Sequence, residues 1–114
     1  MSIVAHNRET MAVRVIRLDA SQWVKPSDVD QAFKSALGSP ESHGNGADAW
    51  IDSMLYGGMN EIDAPFRIEI DGTDGMNETT FYYLMLIQCT VGHARLLKST
   101  QTGVDTDVTI AVFG

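Results

Sequence analysis

The spacing of hydrophobic positions changes several times along this chain, and each change marks an element. Ala12 to Leu18 (Ala-Val-Arg-Val-Ile-Arg-Leu) is a β-branched run that predicts a first strand. From Val29 the period lengthens. Val29, Ala32, Phe33, Ala36 and Leu37 keep i, i+3, i+4, i+7, i+8 spacing, which predicts a helix with one face on the core. Ser27 is its expected cap, with Asp30 as the acid three residues on and Pro26 just before it. Gly38 is the expected stop, and Pro40 prevents the helix from resuming. A second helix is expected over Ala47 to Tyr56, ended by Gly57-Gly58. Pro65 then opens a strand that alternates strictly, with Phe66, Ile68 and Ile70 on one side and Arg67, Glu69 and Asp71 on the other. That pattern predicts one solvated face and a place at a sheet edge. Gly72-Thr73-Asp74-Gly75 turns the chain.

Phe81 to Lys98 is rich in Leu and Met and closes on His93, Arg95 and Lys98. This favours a helix with Gly92 as the place for a bend, although Phe81-Tyr82-Tyr83 and Thr90-Val91 also suit a strand. Ser99 to Asp107 reads as a polar loop and Val108 to Phe113 as a final buried strand. The order β-α-α-β-α-β with helix-length crossovers gives an α/β fold class: a small three-stranded parallel sheet packed with three to four helices.

Charge adds direction to this outline. The 114-residue chain is formally −7, and eight acids against Arg67 put all of that between Glu41 and Asp74. A one-sided acidic field speeds encounter with a basic partner and repels nucleic acid, whereas an acidic face that only aids solubility is the plainer alternative. The length fits a single domain, expected over residues 12–114, behind a flexible polar tail at 1–11 with no signal-peptide run. Phe81 to Val91 is the most apolar stretch and is too short to span a bilayer. Cys89 is the only cysteine, so no internal disulfide is available and a cytoplasmic location is expected.

The candidate chemistry lies at His43-Gly44-Asn45-Gly46-Ala47-Asp48-Ala49-Trp50-Ile51-Asp52-Ser53-Met54, a glycine-rich loop feeding a helix. Asp48 and Asp52 stand four residues apart, roughly 40° apart on one face, while Ala47, Trp50, Ile51 and Met54 form a core stripe on another. Asp48 also suits the positive end of the helix dipole, with Asn45 as a cap. A same-helix pair faces one way and cannot flank a scissile bond, so the expectation is binding rather than catalysis. No ligand-spaced partner accompanies His6 or His93, so neither a metal nor a cofactor is expected. Were His43 to pack beside Asp48 or Asp52, partner binding would depend on pH, the alternative being a free loop histidine. Cys89 is expected to be an inert buried thiol, and Asp71 to Gly75 a turn rather than a calcium loop.

With the acidic helix between the first two strands, the chain resembles the barstar family of ribonuclease inhibitors. The matching pattern is Pro-Glu, a short variable stretch, Gly, then Asp-Ala-x-x-Asp, here Pro40-Glu41-Ser42-His43-Gly44-Asn45-Gly46-Ala47-Asp48-Ala49-Trp50-Ile51-Asp52. The Asp-Val-Thr-Ile ending at Asp107 to Ile110 agrees as well, and the likeness covers about Val13 to Phe113. It implies an immunity protein that plugs the active site of a basic ribonuclease toxin. Asp52 would mimic the substrate phosphate and Asp48 add a second charged contact. His43 would pack over the nuclease site, and Gly44 would let the backbone approach. The implied partner-facing set is His43, Gly44, Asn45, Gly46, Asp48, Asp52 and Tyr56, on a chain that binds no nucleic acid or membrane and is a monomer or weak dimer when free. The chain departs from the family at Ser42-His43, where an aromatic pair is usual, and at Ile51, where the family's Trp stands one place earlier as Trp50. The linker from Gly57 to Ala64 is also longer than in the best-known inhibitors. The alternative implied by the same fold is an interaction module for a basic partner that is not a nuclease.

Overall fold

The computed structural model describes residues 13–114, and the tail expected at 1–11 lies outside them. The elements run β1 (Arg14–Asp19), α1 (Pro26–Leu37), α2 (Ala47–Ile51) with a π-helical continuation over Asp52–Tyr56, β2 (Phe66–Asp71), α3 (Glu78–Thr102) and β3 (Val108–Val112). All three strands are parallel, in the order β1-β2-β3. This is the expected fold class with three helices. The second strand, however, is central and not at an edge. Its alternation arises because one whole face of the sheet is left to solvent, so a middle strand shows the same period as an edge strand.

Register aligns the two faces. Ile16, Ile68 and Ile110 share one row and Leu18, Ile70 and Val112 the next, all toward the helices. Phe66, Ile68 and Ile70 are fully buried. On the opposite face Arg17 stands beside Glu69 at 3.2 Å, and Arg67 reaches the same carboxylate at 2.8 Å. The two guanidiniums hold Glu69 below the usual carboxylate range, the hydrogen bond from Arg67 being the larger cause.

Each helix has a local reason to stop and start. α1 begins two residues earlier than expected, capped at Lys25 and not at Ser27. Pro26 is its first helical residue, and the Asp28 carboxylate, not that of Asp30, accepts from the N–H groups of Val24 and Lys25 at 2.8 and 3.1 Å. Gly38 ends it in the left-handed region at φ 66°, where a Cβ would also strike the Glu61 side chain at 2.7 Å. α3 is α-helical throughout, Gly92 included, from an Asn77 cap accepting from Thr80 N–H at 2.9 Å to Gly103. It therefore absorbs Ser99 to Thr102, expected as loop, and places His93 two and a half turns before its end. Cys89 is exposed on it, because the line Leu84, Ile87, Val91 faces the core and position 89 falls on the far side.

α3 also closes one sheet edge. Gln88 Nε2 donates to the Ile110 carbonyl at 2.8 Å, and Arg95 donates to the Val108 carbonyl at 3.1 Å and the Thr109 hydroxyl at 3.0 Å. Arg95 is held in turn by Asp105, at 2.7 and 2.6 Å. The Val108 and Ile110 carbonyls, two of those that β3 turns outward, are thus occupied by side chains and not left for another strand.

Candidate functional site

The acidic helix is fixed from beneath. Trp50, its largest side chain, is fully buried. It meets Phe33 of α1 edge-on at 5.4 Å and stacks on the His43 ring at 4.1 Å. Burying one such side chain is worth roughly 1.5–3 kcal/mol. Met54 follows it into the core, with Ala47 and Ile51 packed at the margin, as the apolar stripe predicts, and Leu55, outside that stripe, is buried as well.

The polar part of this underside centres on Asp30, which is 5 % exposed. One of its oxygens, Oδ1, accepts from Trp50 Nε1 at 2.8 Å, from the Tyr83 hydroxyl at 2.7 Å and, at 3.4 Å, from the Gly46 N–H. A single carboxylate on α1 therefore ties down the loop, α2 and α3 together. Burial, and then the hydrogen bond to Asp30 and its charge, hold the Tyr83 hydroxyl above the ordinary phenol range. Sequence reasoning missed Asp30 because it assigned the residue to a cap. The available signal was its spacing, three before Phe33 and seven before Leu37, which puts an acid on the core stripe.

The expected site residues divide into two groups. His43 is 3 % exposed, so it is neither a free loop residue nor part of the open surface. Its Nδ1–H donates to the Gly44 carbonyl at 2.5 Å, and its Nε2 is hydrogen-bonded to the Ser53 hydroxyl at 2.8 Å. The ring lies against Trp50, under the helix that carries the acids. Gly44, Asn45, Asp48, Asp52 and Tyr56 are exposed, and Gly46 is half-buried. Asn45 does not cap the helix: Gly46 is the capping residue, at φ 101° and ψ 165°, with no side-chain bond.

Asp48 and Asp52 share one face, since the Asp52 N–H still donates to the Asp48 carbonyl in α geometry. Among the described residues neither takes part in an ion pair, and the same holds for Glu41 and Glu61. Beyond Asp52 the turn widens to π-helical, which alters the azimuth of Tyr56 relative to the acids. Lys98 of α3 closes this end. Its ammonium lies 5.0 Å over the Tyr56 ring and donates to the Leu55 carbonyl at 2.9 Å and to Thr106 Oγ1 at 2.8 Å. The 57–64 linker folds back on the end of α1, where Ser39 donates to Asn60 Oδ1 at 2.6 Å and Ile62 N–H to the Leu37 carbonyl at 3.1 Å.

A groove of about 640 Å³ lies between α3 and β3, with Gln88 and Arg95 among its walls. Among the described residues no three His, Cys, Asp or Glu side chains are placed to hold a metal, and no helix is long and apolar enough to cross a membrane. In comparison with known proteins, no family model matches the chain and no curated protein matches it.

Proposed function

We propose that this chain is a barstar-like inhibitor, an immunity protein that blocks a basic ribonuclease by seating Asp48 and Asp52 in its phosphate-binding cleft. The observation that carries the reading is the contrast between the two sides of α2. Beneath, Trp50, His43 and Asp30 hold it in one position; above, two aligned carboxylates have no cationic partner among the described residues. A pre-positioned pair loses little freedom on binding, so its charge is available for recognition. Placing carboxylates where a substrate phosphate binds lets arginine or lysine pair with them out of water, which couples by about 1.5–7 kcal/mol per close pair. That range was measured on the barnase–barstar complex itself, so it sets the scale without adding support.

The mechanism is occlusion, with no bond made or broken by the inhibitor. The exposed backbone of Gly44 and Asn45 and the Tyr56 ring border the acids and would seal the cleft edge. His43 acts from below, by holding the loop against Trp50. Function in the cytoplasm, beside the toxin before its release, belongs to the same proposal.

The experiment is RNA cleavage by a basic ribonuclease of the barnase type, titrated with the wild type and with Asp48→Ala/Asp52→Ala. Stoichiometric inhibition that the folded double variant loses is the expected result. Inhibition unchanged in the variant would move the contact off α2. A nuclease left fully active by the wild type would favour a basic partner of another kind.

A further inference from the structure

Of the asparagines in this chain, Asn45 alone is followed by a glycine. It is exposed, in the loop between α1 and α2. Among the described residues neither its main chain nor its side chain takes part in a hydrogen bond. Gly46 offers no Cβ to keep the asparagine side chain away from its nitrogen, and the space where one would stand is empty to 4 Å. Its N–H is held only by the contact with Asp30 at 3.4 Å, too long to fix it.

We propose that Asn45 is a self-modifying site, converted to aspartate and isoaspartate by the main-chain nitrogen of Gly46. That nitrogen, giving up its proton, bonds to Cγ of Asn45. The bond from Cγ to the side-chain amide nitrogen breaks, and the nitrogen leaves as ammonia with the proton. Water then opens the resulting five-membered imide. Breaking the new bond to Cγ gives aspartate in the original backbone. Breaking the main-chain bond instead gives isoaspartate, with the backbone routed through the side chain. One water is consumed and one ammonia released, with nothing oxidised or reduced.

The other asparagines lack this opening. Asn60 is 7 % exposed, accepts from the Ser39 hydroxyl and precedes Glu61. Asn77 is held at both ends of its amide, by the Thr80 N–H at 2.9 Å and the Val24 carbonyl at 2.7 Å, and precedes Glu78. Asn7, outside the described residues, precedes Arg8.

Either product takes the formal charge from −7 to −8, with the new carboxylate three residues before Asp48. Isoaspartate also adds a backbone carbon between two points that are tied down. Gly44 is bound through its carbonyl to His43, and the Gly46 carbonyl accepts from the Trp50 N–H at 3.2 Å. The loop that leads into the acidic helix must therefore change its path.

The test is incubation of the wild type at mildly alkaline pH and physiological temperature, beside a free peptide spanning residues 40–50. Samples are digested in acid and mapped by mass spectrometry. The fragment holding Asn45 should gain about 1 Da, as an amide becomes an acid, with an isoaspartyl form among its products. The rate should rise with pH and lie within about tenfold of the peptide's, since an unbonded surface loop opens at little cost. Asn45→Gln, whose ring closure would need a six-membered imide, should stay unchanged over the same period. A folded protein that keeps Asn45 while the peptide converts overturns the proposal, because the fold then protects the bond. A mass gain that maps to Asn7, Asn60 or Asn77, or that persists in Asn45→Gln, overturns it as well.

Discussion

Replacing Asp30 with alanine should destabilise the fold more than any loss of a surface charge could. The perturbation removes one acceptor and leaves two side-chain donors, Trp50 Nε1 and the Tyr83 hydroxyl, without a partner. A buried donor so stranded costs about 1–3 kcal/mol. The Trp50 indole is fully buried and bears that cost in full, whereas Tyr83 is only partly covered and recovers some of it from water. The Gly46 contact at 3.4 Å is long and adds little. The sum is about 2–4 kcal/mol, a large share of the roughly 5–15 kcal/mol that holds a domain folded. Urea unfolding followed by tryptophan fluorescence measures it, with the slope against urea checked to be unchanged. Trp50→Phe and the double variant complete a cycle whose coupling energy isolates the indole–carboxylate bond, expected at about 1.5–3 kcal/mol for a hydrogen bond to a charged group. A loss under about 0.5 kcal/mol, the scale of ordinary surface substitutions, would refute the view that Asp30 anchors the loop and both helices.

Other outcomes follow from the same geometry. Gly46→Ala should cost about 1–3 kcal/mol in the same unfolding assay, although no atom lies within 4 Å of the added Cβ, because φ 101° with ψ 165° is a conformation essentially confined to glycine. Asp48→Ala/Asp52→Ala should leave stability within about 0.5 kcal/mol of wild type, since both side chains are exposed and unpaired among the described residues; a larger loss would give them a structural role. Asp105 is held down to about 2, chiefly by the hydrogen bond from Arg95. A depressed carboxylate stabilises above its unfolded value near 3.9 and loses that contribution as pH falls through the folded one. Asp105→Asn should therefore lower the melting temperature at pH 7 by an amount fitting an exposed pair of about 0.2–1 kcal/mol, and the difference should shrink between pH 4 and pH 2.

Local pattern reached far in this chain, and where it failed the reason was three-dimensional. Strict alternation over Phe66 to Asp71 located β2 to the residue, yet alternation reports only that one face is wet and cannot separate a centre strand from an edge. The ends of α2 were legible from Ala47 and Gly57, but a widened π turn leaves no mark in spacing over five residues. Asp30 and Asp28 are both plausible first-turn acids; only the indole of Trp50 and the phenol of Tyr83, brought from 20 and 53 residues away, show which one is buried. His43 was misplaced for the same reason. A histidine beside glycines looks like a loop residue until Trp50 provides a ring to stack on. Cys89 shows the opposite error, where apolar neighbours in sequence suggested burial and the helix turned that position outward.

The side chains laid along β3 decide how this sheet can extend. Growth by strand addition into a fibre requires two open edges on every molecule, one to receive and one to present. Gln88 and Arg95 occupy the Ile110 and Val108 carbonyls, so the β3 edge is obstructed over much of its length and β1 is the more open of the two edges. Two copies joined there would have used the open edge of each, which favours a pair over a propagating sheet.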